Sequence, residues 1–118
     1  MEQDERYLQL QWQDPTTGEA YSLTQQLPLV APISIGKPPD NLVGLNSDHV
    51  SRQHAQIIST AEGLVIVDVN STNGTFLNGE RLPEATPMPL EHGAEIDIWP
   101  FSLTVQIVAL SSHIWLRW

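Results

Sequence analysis

The sequence predicts an all-β domain, and three observations carry that reading. Residues 7–13 read Tyr-Leu-Gln-Leu-Gln-Trp-Gln, so Leu8, Leu10 and Trp12 alternate with glutamines at the two-residue period of a half-buried strand. No window sustains the apolar period of a helix. The nine prolines fall almost entirely between the apolar runs, where a missing backbone N–H removes no ladder hydrogen bond.

The elements follow in order. After the strand at 7–13, Asp14-Pro15-Thr16-Thr17-Gly18 has the residues of a turn, and 19–23 returns as the second arm of a hairpin. Further β-type runs occupy 33–36, 42–45, 55–59, 64–69, 75–77, 94–98 and 101–109, separated by Gly, Pro, Asn and Asp. Many short strands with such turns suit a sandwich or a barrel, and the pattern alone does not separate the two. There is no internal repeat, linker or low-complexity tract, so residues 1–110 are expected to form one domain. The tail 111–118, ending His-Ile-Trp-Leu-Arg-Trp, fits a short terminal helix or part of a longer chain equally well and has no assigned role.

Composition narrows the function. With 41% hydrophobic residues in 118, the chain has the apolar material for one core. It has no cysteine, which excludes disulfides and thiolate metal sites and fits a reducing cytoplasm. The first residues are acidic and polar, and no long apolar run follows, so neither a secretion signal nor a membrane span is expected. A net charge of −9 disfavours nucleic acid and anionic membranes, which require clustered Lys and Arg. Only Arg6, Lys37, Arg52, Arg81 and Arg117 are basic, so any anion site must be built locally.

Lys37 and Arg52 fall inside the one motif-rich region. Ile35-Gly36-Lys37 is followed by Val50-Ser51-Arg52-Gln53-His54-Ala55, by Asn70-Ser71-Thr72-Asn73-Gly74-Thr75 and by Phe76-Leu77-Asn78-Gly79. Ser51 offers a hydroxyl, Arg52 a forked cation and Lys37 a second positive charge, groups that suit the acceptor oxygens of a phosphate. Taken singly, each has a plainer reading: a turn or cap hydroxyl for Ser51, solvated charge for Arg52 and Lys37. Asn78-Gly79 reads as a type I′ hairpin turn, whose central residues need positive φ. Two tight hairpins would leave a very short strand between them, so Asn70 to Gly74 is more naturally an exposed loop. The residues alone leave Asn73 open between contact and turn.

Together, in this order and spacing, these segments resemble the forkhead-associated (FHA) family. Its pattern is a Gly-Arg at a strand end, a Ser-Arg-x-His some fifteen residues on, and two successive Asn-Gly pairs. Lys37 stands where the family has arginine. The resemblance implies a sandwich of two mainly antiparallel sheets with about eleven short strands. It implies a module that binds phosphothreonine in a partner protein, the product of a Ser/Thr kinase, as a monomeric domain without cofactor, metal or catalysis. Lys37, Ser51, Arg52, Thr72 and Asn73 would meet the phosphopeptide, with Asn73 on its main chain. Gly36, His54, Gly74, Asn78 and Gly79 would hold the loops, His54 bracing the one that carries Ser51.

Rival readings are weaker. Gly36-Lys37 lacks the rest of a nucleotide-binding loop, having Ala31 for the earlier glycine and Pro38 for the Ser or Thr. Ser51, His54 and Asp68 invite comparison with a hydrolase triad, but no flanking glycines or oxyanion segment accompany Ser51. His49, His54 and His92 with Asp48 lack zinc-site spacing. The sequons at Asn70 and Asn73 would need a secretory route. The remaining alternative is a scaffold whose phosphate site is dead, and Lys37 gives it some force.

Overall fold

The computed structural model describes residues 4–111, and those residues contain eleven strands and no helix. Residues 112–118, most of the tail, lie outside the described residues.

The strands form two sheets. The first has six strands: β1 (Asp4–Gln13), β2 (Ala20–Leu27), β7 (Phe76–Leu77), β8 (Glu80–Arg81), β10 (Glu95–Ile98) and β11 (Phe101–Ser111), in the order β2-β1-β11-β10-β7-β8. The second has β3 (Ile33–Gly36), β4 (Val43–Gly44), β5 (Ala55–Thr60), β6 (Gly63–Asp68) and β9 (Met88–Pro89), in the order β4-β3-β5-β6-β9. Every strand pair is antiparallel except β3–β4. Two separate ladders make this a sandwich, which settles the choice against a barrel.

Alternation explains why the sheets stack. In β1, Leu8 and Leu10 point inward and pair with Ile107 and Val105 of β11, while Gln9 and Gln11 sit opposite Gln106 and Thr104 on the other face. Ile33, Ile35, Ile57 and Ile66 supply the facing layer from the second sheet, each 1% exposed or less. Burying a side chain of this size contributes about 1.5–3 kcal/mol, so the paired inner faces are the main force holding the sheets together.

The element boundaries differ from the sequence expectation in instructive ways. β2 continues past residue 23 to Leu27, because Thr24, Gln25 and Gln26 keep their backbone ladder with Gln9, Leu8 and Tyr7 although their side chains break the apolar pattern. The two-residue strands β8 and β9 are too short to show any period.

One end of the sandwich is organised by loop-to-strand hydrogen bonds. The Lys37 amide donates to the Ser51 carbonyl (3.0 Å), the His54 amide to Ile35 (3.0 Å), the Leu45 amide to Gly36 (2.9 Å) and the Val69 amide to His54 (3.1 Å). The connections after β3, β4 and β6 are thereby brought side by side. Gly36 permits this approach: a Cβ there would lie 2.3 Å from the Arg52 carbonyl oxygen, far inside contact distance.

Candidate functional site

His54 is fully buried between two of these loops. Its Nδ1 accepts the Ser51 N–H (3.1 Å), and its Nε2 lies 2.9 Å from the Gly74 carbonyl. That pairing requires the neutral ring with its proton on Nε2. Burial pulls the His54 pKa below its ordinary value, against the opposing pull of the Gly74 carbonyl and the Asp68 charge. The ring thus joins the loop bearing Ser51 and Arg52 to the loop bearing Thr72 and Asn73.

Two further bonds close the same seam. Ser51 Oγ accepts the Thr72 N–H (3.1 Å), and Asn73 Nδ2 donates to the His49 carbonyl (2.8 Å). Ser51 spends only an acceptor position on Thr72, so its hydroxyl hydrogen stays available to an incoming anion.

The loop of residues 69–75 is shaped by Asp68, a role the sequence reading missed. Asp68 ends β6 and is 4% exposed. Its Oδ1 accepts the Ser71 N–H (3.0 Å), and its Oδ2 accepts the hydroxyls of Ser71 (2.6 Å) and Thr75 (2.7 Å). Ser71 Oγ in turn accepts the Gly74 N–H (2.9 Å). Burial pushes the Asp68 pKa up, but the hydroxyl and amide donors outweigh it and hold the carboxyl below its usual range. The Asp-x-x-Ser spacing of an Asx-type turn was the available signal. With the His54 ring nitrogens committed to Ser51 and Gly74, and Asp68 to Ser71 and Thr75, the three residues do not form a proton relay.

Gly74, with φ +92°, also lies under Arg81, whose Nε would be 2.8 Å from an added Cβ. In the β7–β8 hairpin, Asn78 (φ 51°) and Gly79 (φ 87°) have the positive φ of a type I′ turn. Asn78 Oδ1 accepts the Glu95 N–H (2.9 Å), and the Asn78 N–H donates to the Glu95 carbonyl (2.9 Å), which ties the hairpin to β10.

The cations line a cleft of about 440 Å³ bounded by Lys37, Pro38, Pro39, Asp40, Arg52 and Gln53. Arg52 is exposed, and its carbonyl, not its guanidinium, is what the loop uses: Asn41 Nδ2 donates to it (2.6 Å) and also to Lys37 O (2.9 Å). Among the described residues the only ion pair is Lys37 Nζ to Asp48 Oδ1, at 2.7 Å. The Lys37 hydrogen bond and charge hold the Asp48 carboxyl below its ordinary value. Asp48 is an acidic neighbour that the sequence reading did not connect to the cleft. Beside it, His49 meets the Trp99 ring edge-to-face with centroids 4.6 Å apart. The histidines do not assemble with acidic residues into a metal-ligand cluster among the described residues.

Lys37 and Arg52 line one cleft, Arg52 has no ion pair among the described residues, and the Ser51 hydroxyl stands next to Arg52 in the chain, groups that suit a small anion. Residues 33–99, more than half of the chain, match the FHA domain. The chain belongs to the FHA domain family. It is 36% identical over 96 residues to the transcriptional regulatory protein EmbR of Mycobacterium tuberculosis, covering 81% of this chain and 23% of EmbR. The glycogen accumulation regulator GarA of the same organism is 34% identical over 89 residues, covering 75% of this chain and 50% of GarA. This FHA domain therefore spans about a quarter of one curated relative and half of the other. The solved structure of M. tuberculosis EmbR in complex with a low-affinity phosphopeptide superposes with a TM-score of 0.63 at 35% identity, over 83% of this chain and 24% of that one. An FHA domain solved in a study of phosphothreonine-dependent interactions superposes with a TM-score of 0.69 at 27% identity, over 88% of this chain and 99% of that one.

Proposed function

We propose that this FHA domain binds a phosphothreonine-containing segment of a partner protein, as a monomeric, non-catalytic module acting on the product of a Ser/Thr kinase. The observation that carries the reading is that Lys37 and Arg52 line one cleft, with Ser51 next to Arg52 on a loop held by His54 and Thr72, and with Arg52 free of any ion pair among the described residues. The phosphopeptide complex of EmbR and the phosphothreonine-dependent domain among its structural neighbours support it. In this reading Arg52 and the Ser51 hydroxyl contact phosphate oxygens, Lys37 adds charge, and Asn73, beside Thr72, meets the peptide main chain. A cytoplasmic setting, as the absence of cysteine suggests, completes the proposal.

The Lys37–Asp48 pair favours a second reading, a scaffold whose phosphate site is dead, because a carboxylate already occupies the lysine. Two substitutions separate them. In a live site Asp48→Asn removes a negative charge facing a phosphate of about −2 and frees the ammonium, so affinity should rise about two- to fivefold. Lys37→Ala should weaken binding and flatten its salt dependence, while Lys37→Arg, with its planar fork, should bind at least as tightly as wild type. Calorimetry with one phosphothreonine peptide at low and high salt measures all three; no change in any variant would favour the scaffold.

Phosphothreonine should also bind more tightly than phosphoserine in a matched peptide. Burying one methyl group is worth about 0.8 kcal/mol, roughly a fourfold difference in affinity. Equal affinities would count against the assignment.

A further inference from the structure

We infer that the end of the sandwich far from the phosphate cleft holds a second ligand site, which takes a small organic acid: one carboxylate on an apolar body, met by Arg6. The inference is independent of the phosphopeptide reading.

Strand alternation puts Arg6 on the core-facing side of β1, next in line after Leu10 and Leu8, and opposite Leu27 of β2. In the other sheet Ser59 follows Ile57 on the core-facing side of β5 and pairs with Leu64 of β6. An arginine and a serine thus stand where the fold's own pattern calls for apolar residues, and such departures are expected at functional sites. Arg6, Leu27 and Pro28 on one side and Ser59 and Leu64 on the other line a cavity of about 240 Å³. It is remote from the phosphate cleft: β5 runs from Ala55, beside the cleft loops, to Thr60, roughly 17 Å at about 3.3 Å per residue.

The polar groups of this cavity suit a carboxylate. Arg6 has no ion pair among the described residues, and its neighbour Glu5 lies on the opposite face of β1, where the carboxylate accepts the Tyr7 hydroxyl (2.8 Å). Lys37 and Arg52 line the phosphate cleft and Arg81 packs on Gly74, so Arg6 is the one cation among the described residues that neither the fold nor that cleft uses. On a chain of net charge −9 only such a local cation draws an anion in. Ser59 Oγ accepts the Leu29 N–H (2.7 Å), which leaves its hydroxyl hydrogen for a ligand oxygen. The Thr60 hydroxyl is already committed, donating to the Gly63 carbonyl (2.9 Å) and accepting the Glu62 N–H (3.2 Å). Two side-chain donors for one carboxylate, with apolar walls from Leu27, Pro28 and Leu64, suit a free acid better than the amide-bearing end of a peptide. The cavity falls short of the about 300–1,000 Å³ of pockets for drug-sized ligands, so the acid is small.

The test titrates the chain with octanoate, followed amide by amide by NMR, with octanol, acetate and a short peptide ending in leucine for comparison. Octanoate should bind in the millimolar range or tighter, as expected for about ten non-hydrogen atoms, and shift the amides of Leu27, Ser59, Thr60, Gly63 and Leu64. Octanol, which lacks the charge, and acetate, which lacks the apolar body, should both bind more weakly. Arg6→Met keeps the apolar stem and should weaken octanoate about three- to tenfold while leaving octanol unchanged, whereas Arg6→Lys should retain most of the affinity. Because Arg6 is exposed, both variants should melt like wild type. Octanoate held no better than octanol, or equally well by Arg6→Met, would make the cavity a plain apolar crevice and overturn the site. Shifts confined to the amides around Lys37 and Arg52 would place the acid in the phosphate cleft and overturn it as well. Tighter binding of the peptide than of octanoate would overturn the free-acid assignment. Each of these failures leaves phosphothreonine binding standing.

Discussion

Arg52→Ala is expected to weaken phosphothreonine-peptide binding by roughly one to two orders of magnitude while leaving the thermal melt nearly unchanged. A hydrogen bond to a charged group contributes about 1.5–3 kcal/mol, which is the affinity loss when the guanidinium is removed. The fold should not notice, because Arg52 is exposed and its loop is held through its carbonyl, by Asn41 and by the close approach to Gly36. Surface substitutions away from special features stay within about 0.5 kcal/mol. Ser51→Ala makes a useful contrast, since it removes both the hydroxyl proposed to meet the phosphate and the acceptor of the Thr72 N–H, so some stability should be lost with affinity. Calorimetry paired with a melting curve distinguishes the roles. An Arg52→Ala protein that binds as tightly as wild type would remove Arg52 from the site, and one that loses binding only as it unfolds would make the residue structural.

How much of this was legible depended on whether a feature is local in sequence. The strands with alternating or continuous apolar residues, such as β1 with Leu8, Leu10 and Trp12, were readable because inward and outward positions differ in polarity. The C-terminal half of β2 was not, since an edge strand continues by backbone pairing while Thr24, Gln25 and Gln26 carry no apolar signal. At the candidate site, the Ser-Arg-x-His run and the Asn-Gly pairs were visible because their residues are near neighbours. The contacts that couple them span the chain: His54 to Gly74, Thr72 to Ser51, Asn73 to His49, Asn78 to Glu95. Lys37 and Asp48 lie in different loops and have no spacing rule, and Trp99 reaches His49 from the opposite sheet. Asp68 entered the sequence reading only within a weak rival, a hydrolase triad, because a carboxylate near a serine and a histidine in sequence says nothing about which donors its oxygens face. Its actual partners, Ser71 and Thr75, follow it closely and form a turn.

His54→Ala is expected to act in the opposite sense to Arg52→Ala, lowering stability first. Removing the ring leaves the Ser51 N–H and the Gly74 carbonyl without partners and opens a cavity where a fully buried side chain stood. Unpaired buried polar groups cost about 1–3 kcal/mol each, so together with the cavity the loss should be about 3–5 kcal/mol. For a domain of this size that lowers the melting temperature by at least about 12 °C. Phosphopeptide binding should return on cooling to the extent that the fold does, since the ring touches loops and not ligand. The same ring has a pH signature. Its folded-state pKa lies below the value of 6.5 it has when unfolded, because burial disfavours the charged imidazolium. Above pH 6.5 it is neutral in both states and costs nothing. As pH falls from there towards the folded pKa, the unfolded chain binds the proton and the folded one does not, so wild-type stability declines. Asp68, also depressed, shifts stability only in the lower carboxylate range, leaving the first decline to histidine. His49 and His92 remain in the His54→Ala variant, so chemical denaturation of both proteins across this interval isolates the buried ring. Wild type should lose stability more steeply than the variant below pH 6.5; parallel curves, or a melting temperature untouched by the substitution, would show that His54 does not brace these loops.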